Sequence, residues 1–485
     1  MSRSRKPRPW YRPRNIILVL LLAFVAWLTY LVYWALTVQP NPSTDYAKKL
    51  EELSAASQPP GENGWPMLAE AVSILTEVES ALVEADERWS TFDPFDFEPL
   101  YLTGTSPAVL SKLRHTIAEL RGAGAFDRLA LAAQRPNAVR PQSQMQGESL
   151  LFQTIPIVGH LRGLALARIA SMYQALAEGD ADEAIAALDQ TLYVAQISTH
   201  QSLIIEQLIG QAIAGNAVGR MRQALMHHQL DATTCARLLK TFHRRLPLGS
   251  TEIALQGERL ILLDMIQRIY SDNGKGGGRL LLAETDDILQ TGMGSRTSAV
   301  PAIVNLGGLF YANRTEITTA TNDFFDHFIR LSNLSRAERR ADPFDEDAFL
   351  QALDWRYMPL NMLIPALGRF VDSRDASDSE IAGTIIMLAL EQYRAETGNY
   401  PDSLDDLTPS ILENIPSDPF SAQGFVYRKR SDDPLGKGYV LYSIGADGID
   451  NNGATDSIEP GLGLSDREGV GFDFVLNAPK SKKPE

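Results

Sequence analysis

Apolar positions are spread along this chain in three regimes. From Asn15 to Val38 it reads NIILVLLLAFVAWLTYLVYWALTV, 24 residues without a charge. At 1.5 Å per helical residue this run covers about 36 Å, enough to cross a hydrocarbon layer of roughly 30 Å. From about Trp65 to Asp372 the pattern takes the helical period. Leu68, Ala71, Val72, Leu75 and Val78 recur at spacings of three and four within Met67–Val83, which makes one apolar face. Between His160 and His200, Leu164, Ala167, Ile169, Met172 and Leu176 make one face, and Ala184, Ile185, Leu188, Leu192 and Val194 a second. Gly179-Asp180 supplies the turn between them, with Asp180 placed to cap the returning helix. Leu203–Leu225 and Thr233–Phe242 read as further helices, and the apolar Ala299–Ala312 as a buried helix start too short for a second span.

Beyond Asp372 the pattern changes again. A linker is expected over Asp372–Asp378, then a helix over Ser379–Thr397, closed by Gly398 where a left-handed residue is favoured. A short helix follows Tyr400, capped by Asp402 or Ser403. Three strands are predicted, over Phe425–Arg430, Tyr439–Ile444 and Gly471–Leu476, the last two separated by a loop rich in Asp, Asn and Gly. The fold class predicted is mainly α: a single N-terminal transmembrane helix, an extracytoplasmic helical domain, and a small C-terminal α+β module with a three-stranded antiparallel sheet. The boundaries are a basic cytoplasmic arm over 1–14, the span over 15–38, the helical domain over 39–371, the module over 372–479 and a polar tail over 480–485.

Charge sets the topology. Arg3, Arg5, Lys6, Arg8, Arg12 and Arg14 precede the span with no acidic residue among them, which predicts a cytoplasmic N-terminus and everything after Val38 outside. The run is longer than a signal-peptide core and no A-x-A-like site follows it, so a retained anchor in the lipid bilayer is expected over a cleaved signal. The net charge of −15 argues against nucleic acid as a partner, since such a partner demands a basic face. One cysteine, Cys235, excludes a disulfide framework or a cysteine-rich zinc site within the chain.

Catalytic signatures are thin. No H-E-x-x-H or G-x-S-x-G occurs, and Asn273–Gly278 fails both the dinucleotide and the phosphate-loop patterns. His227 and His228 are adjacent and so point about 100° apart on a helix, while His243 stands beside Arg244 and Arg245. The hairpin over 160–200 is similar to a tetratricopeptide unit, but no 34-residue repeat flanks it. No catalytic residue is assigned.

Four segments carry a resemblance: LALEQYRAETGNYPDSLDDL (388–407), DPFSAQGFVYR (418–428), GYVLYSIGADGIDNNG (438–453) and FDFVL (472–476). In this order they resemble the globular domain of the type II secretion major pseudopilin, over roughly the last hundred residues. The Gly-Phe-Thr-Leu-x-Glu prepilin signature is absent, so polymerisation as a pilin is not expected. The whole chain resembles bacterial membrane-anchored proteins that carry this module, which implies an inner-membrane location. The resemblance also implies calcium before the last strand, on Asp447, Asp450 and Asp473, with Asn452 and Asp456 as further oxygen ligands. Calcium takes six to eight oxygens in a flexible shell; the same Asp, Asn and Gly residues also build turns without metal. An EF-hand register fails, because Gly448 holds its first position and strands flank the loop.

The function expected is a non-catalytic, membrane-anchored envelope scaffold or binding protein, with envelope or secretion proteins as partners. The alternative is an extracytoplasmic enzyme of hydrolase type, with a site dispersed in the helical domain.

Overall fold

The computed structural model describes residues 13–85, 106–141, 150, 155–285, 302–341, 346–363, 367–430, 437–454 and 473–477. Helix α1, Pro13–Thr37, is long and apolar enough to cross a membrane, and its residues from 15 to 30 are all exposed. Only its last two turns are covered: Leu31, Val32 and Trp34 are half-buried and Ala35 is buried.

Helices α2 (Tyr46–Ala56), α3 (Trp65–Ala85), α4 (Pro107–Gly122) and α5 (Ala125–Ala133) follow. The predicted hairpin is present as α6 (Ile155–Glu178) and α7 (Ala181–Thr199). Gly179 takes φ 77°, and the Asp180 carboxylate accepts from the Glu183 N–H at 3.1 Å, so the local sequence dictates the turn. Then come α8 (Ile204–His227), α9 (Ala232–Arg245) and α10 (Thr251–Ile269). Gly257 of α10 lies so close to the α7–α8 corner that a Cβ there would stand 1.5 Å from the Ser202 carbonyl oxygen.

A 3-10 stretch spans Ala302–Phe310, followed by α11 (Arg314–Ser332), α12 (Arg336–Ala341), α13 (Glu346–Ala352), α14 (Met358–Leu363) and α15 (Gly368–Thr397). The 3-10 stretch corrects the expectation of a buried helix start. Asn305 is buried there, while Ile303 and Phe310 are exposed.

Strands β1 (Val426–Lys429), β2 (Tyr439–Ser443) and β3 (Phe474–Val475) form one antiparallel sheet in the order β1-β2-β3, each inside its predicted segment. Val426 pairs with Tyr442, and Ser443 with Phe474. Leu441 of β2 and Leu476 beyond β3 face α15, where Gly383 admits the Leu476 side chain. A Cβ at Gly383 would meet Leu476 at 2.3 Å.

Two findings correct the predicted organisation. The Asp372–Asp378 segment is helix rather than linker, because α15 runs through it unbroken. Asp372 pairs with Arg336 and Asp375 with Arg339, both from α12, and Ala376 is buried. The acidic run is thus neutralised from the side by arginines. Secondly, apart from a small cluster of Ala376 and Phe420 with Ala446 and Phe474, the module packs into the core of the helical domain. Leu188, Leu225 and Phe242 of the helical domain share one apolar cluster with Leu388, Leu441 and Leu476 of the module. A second cluster joins Leu50, Ile261, Phe324, Phe328, Leu360 and Phe370. Each large side chain withdrawn from water in the shared cluster contributes roughly 1.5–3 kcal/mol, so the cluster couples the sheet to the helices.

Candidate functional site

Two places in the fold gather chemistry-bearing side chains. The first is the loop between β2 and β3. Asp473, buried at the start of β3, accepts from the backbone N–H of Asn451 at 3.1 Å and of Gly453 at 2.6 Å. One carboxylate therefore clamps the loop from beneath. Asp450 accepts from the Tyr442 hydroxyl at 2.9 Å and the Asn452 N–H at 2.7 Å. The Asn452 N–H and the Tyr442 hydroxyl hold its carboxyl below the usual carboxylate range. Asp447 accepts from the Ile449 N–H at 3.0 Å. Arg428 of β1 reaches Asn452 Oδ1 at 3.3 Å and Asp450 Oδ2 at 3.5 Å.

Asp447, Asp450, Asn452 and Asp473 thus fall on one loop and its base, and Asp456 lies outside the described residues. Their donor atoms are all oxygen, which suits calcium. Their arrangement suits it less: Arg428 holds the outer side of Asp450 and Asn452. Among the described residues, no three His, Cys, Asp or Glu side chains come together as metal ligands.

The second place has no counterpart in the sequence reading. A cavity of about 590 Å³ opens between α5 with its following turn, α7 and the end of α9, lined by Arg135, Pro136, Asp189, Gln190, Arg244 and Arg245. Arg245 grips Asp189 with two bonds, Nε at 2.6 Å and a terminal nitrogen at 2.7 Å, donates to the Ala133 carbonyl at 2.9 Å, and stacks over the Tyr193 ring at 5.1 Å. Arg244 pairs with the same carboxylate at 2.7 Å, and Arg135 pairs with Glu62. Three guanidinium groups therefore face two carboxylates. Gln190 is buried and lines the cavity, and its Oε1 has no hydrogen-bond partner; the same holds for Arg135 Nε. The planar forks of Arg135 and Arg244 suit a carboxylate or phosphate. The signal was legible only in part: Arg244-Arg245 stand side by side in the sequence, but nothing local brings Arg135 or Asp189 to them.

Two further buried carboxylates have structural partners. Glu258 of α10 accepts from the Ile204 N–H at 3.0 Å, where it caps α8. Burial, with Glu206 adding to it, pushes the Glu258 carboxyl up to about 7. Glu206 is itself buried against Arg140 at 2.8 Å. Burial, with Glu391 and Asp231 adding to it, pushes the Cys235 thiol up to about 12, so it carries no thiolate at neutral pH. Asn273 Oδ1 accepts from the Lys275 and Gly277 N–H groups, which turns the glycine-rich loop in on itself.

Compared with known proteins, the chain matches no family model, no curated protein and no solved structure.

Proposed function

We propose that this chain is a membrane-anchored, non-catalytic scaffold of the bacterial cell envelope. On this reading α1 is a retained inner-membrane anchor with its basic arm in the cytoplasm, and the remainder lies outside. The observation that carries it is mechanical continuity. Asn305 donates to the Ala35 carbonyl at the end of α1 at 3.3 Å, and Gln267 of α10 accepts from the Ser43 and Thr44 N–H groups at 3.2 and 3.1 Å. The second cluster then joins α10 to Phe370 of α15, and the Leu388 end of the same helix lies in the cluster that continues into the sheet. Such a body holds a surface at a set distance from the bilayer.

The arginine-lined cavity is its binding site, for a small ligand with an anionic group toward Arg135 and Arg244 and a hydrogen-bond donor toward Gln190. The pseudopilin-like module is the face offered to envelope or secretion proteins. Calcium on Asp447, Asp450, Asn452, Asp456 and Asp473 is part of the proposal, and Arg428 has to swing away for it to bind.

The rival is a hydrolase-type enzyme, for which the cavity supplies a pocket. The full-length protein in detergent separates the two. A panel of chromogenic ester, amide, glycoside and phosphate substrates is expected to show no turnover. Turnover that disappears in Arg244→Gln overturns the scaffold. Crosslinking in intact envelopes, from photoreactive residues at exposed positions of the module, is expected to give discrete envelope-protein adducts.

A further inference from the structure

Four large apolar side chains stand in water on the 3-10 stretch that packs on α1 and on the turn joined to it. Phe310 is 68 % exposed, Trp355 63 %, Met358 51 % and Ile303 39 %. Leaving such groups exposed singly is ordinary; a contiguous set marks a surface that something covers. Phe310, Trp355 and Met358 are linked. Phe310 ends the 3-10 stretch Ala302–Phe310 that packs on α1. The Tyr311 ring meets the Trp355 ring edge-on at 6.1 Å, and the Ala312 N–H donates to the Arg356 carbonyl at 2.9 Å, tying that stretch to the turn that carries Trp355 and leads into Met358.

We infer that this patch is a second membrane contact, seated in the interfacial layer of the leaflet where α1 emerges. The inference rests on α1 being a retained span, and two independent constraints fix the depth. Asn305 is bonded to Ala35, and Leu31, Val32 and Trp34 of the same two turns are covered. Leu31 lies about 9 Å along the helix from Thr37, so the covered turns fall at the boundary of hydrocarbon and headgroups. The 3-10 stretch lies at that depth with them. The chain after α1 also has no slack. Pro40 forms a β-bridge with Ser271, and Ser43 and Thr44 are held by Gln267. A body tied to its anchor within a few residues cannot stand off from the bilayer.

The chemistry of the patch agrees with that level. Trp and Tyr favour the headgroup layer, where the ring is apolar and one end can be wet. Asp354, exposed next to Trp355, keeps the turn from sinking into hydrocarbon. Arg356 is paired with Glu316 at 2.8 Å and so brings no unmatched charge. The consequence is orientational. A single span leaves a protein free to tilt and swivel, whereas a span with a flanking wedge sets which side of the helical domain faces the membrane.

The test uses the full chain in phosphatidylcholine vesicles, in a Cys235→Ala background, with a bimane label at one new cysteine. The positions are Phe310→Cys and Met358→Cys in the patch, Val25→Cys in the span, and Ile449→Cys on the exposed loop after β2. Doxyl groups near the headgroup are expected to quench positions 310 and 358 at least twofold more than 449, and aqueous iodide to show the reverse order. If 25 is quenched by lipid while 310 and 358 behave like 449, the patch inference fails and the anchor stands. If 25 is not quenched even by doxyl groups placed deep in the acyl chains, at its own mid-span level, the anchor fails and takes the inference with it. Label-to-label quenching at 310 without lipid quenching assigns the patch to a second copy of the chain and also overturns the inference.

Discussion

The Tyr400 hydroxyl donates to Glu391 Oε1 at 2.6 Å, across the corner where α15 ends and the Tyr-Pro segment begins. Glu391 is one of the most deeply buried carboxylates in the described residues, 1 % exposed, and it does not rest on Tyr400 alone. Arg394 reaches its other oxygen at 2.7 Å, and Lys437 reaches Oε1 at 3.3 Å while also donating to the Leu225 carbonyl at the end of α8. The buried charge thus ties α15, the Tyr-Pro turn, the approach to β2 and the helical domain at one point. Tyr400 of the Tyr-Pro segment is a structural ligand of that charge.

Removing one partner from a buried ion pair leaves the other stranded, which typically costs about 3–5 kcal/mol. Glu391→Gln is therefore expected to destabilise by about 3 kcal/mol. Tyr400→Phe, which removes one bond to a charged group, is expected to cost about 1.5–2 kcal/mol. Because the core is shared, far-UV ellipticity and tyrosine fluorescence should report a single transition in both variants. A sheet that melts ahead of the helices in urea would refute the shared core.

Glu258 predicts an unusual pH dependence. Its carboxyl is raised by burial to about 7 in the folded protein, against an ordinary value near 4.5. Between those values the folded state holds a proton that the unfolded state has released, so stability contributed by this group falls as pH rises and levels off above 7. Glu258→Gln keeps an oxygen that can accept from the Ile204 N–H and cannot ionise. The variant is expected to match the parent near pH 4.5 and to exceed it at pH 8 by roughly 1–3 kcal/mol. Urea midpoints at the two pH values measure this, and equal differences at both would refute it.

The loop between β2 and β3 makes a prediction about competition. Calcium at about 100 times its Kd stabilises a fold by about 2.7 kcal/mol. To bind, it must take Asp450 and Asn452 from Arg428. Excess calcium is expected to raise the melting temperature of the full-length protein, to raise it further in Arg428→Ala, and to do nothing in Asp447→Asn/Asp450→Asn. If neither the parent nor Arg428→Ala responds, the loop is held by Asp473 and its own turns.

What could be read from the sequence follows from how local its cause is. The α6–α7 turn is written in two adjacent residues, Gly179 and Asp180, and the strands in short apolar runs between turn residues. Asp372–Asp378 looks like a linker because its neutralising partners, Arg336 and Arg339, lie on a different helix 36 residues away from Asp372 and Asp375. The cavity escaped for the same reason, since Arg135, Asp189 and Arg244 come from three elements. Ala299–Ala312 reads as a buried helix start although Phe310 is exposed, because an apolar run does not say which of its side chains meets the rest of the protein.

That distance in sequence makes the cavity testable as an assembly of separable parts. Arg245 is buried on Asp189 and Tyr193, so its loss is a stability defect; Arg244 is half in solvent and pairs with Asp189 from the rim, so its loss spares the fold. Arg244→Gln is expected to shift the melting temperature by little and to weaken an anion that uses the rim. Phosphate, lactate and propionate are suitable probes, because lactate differs from propionate by a hydroxyl that can donate to Gln190 Oε1, the acceptor without a partner. Lactate should therefore bind more tightly than propionate by a factor of about 5–10, the worth of one hydrogen bond of about 1–1.5 kcal/mol. Gln190→Leu should erase that preference while leaving propionate unchanged, and Arg244→Gln should weaken both. Titration calorimetry on the full-length protein reads all of these, and equal binding of the two acids by the parent would remove Gln190 from the site.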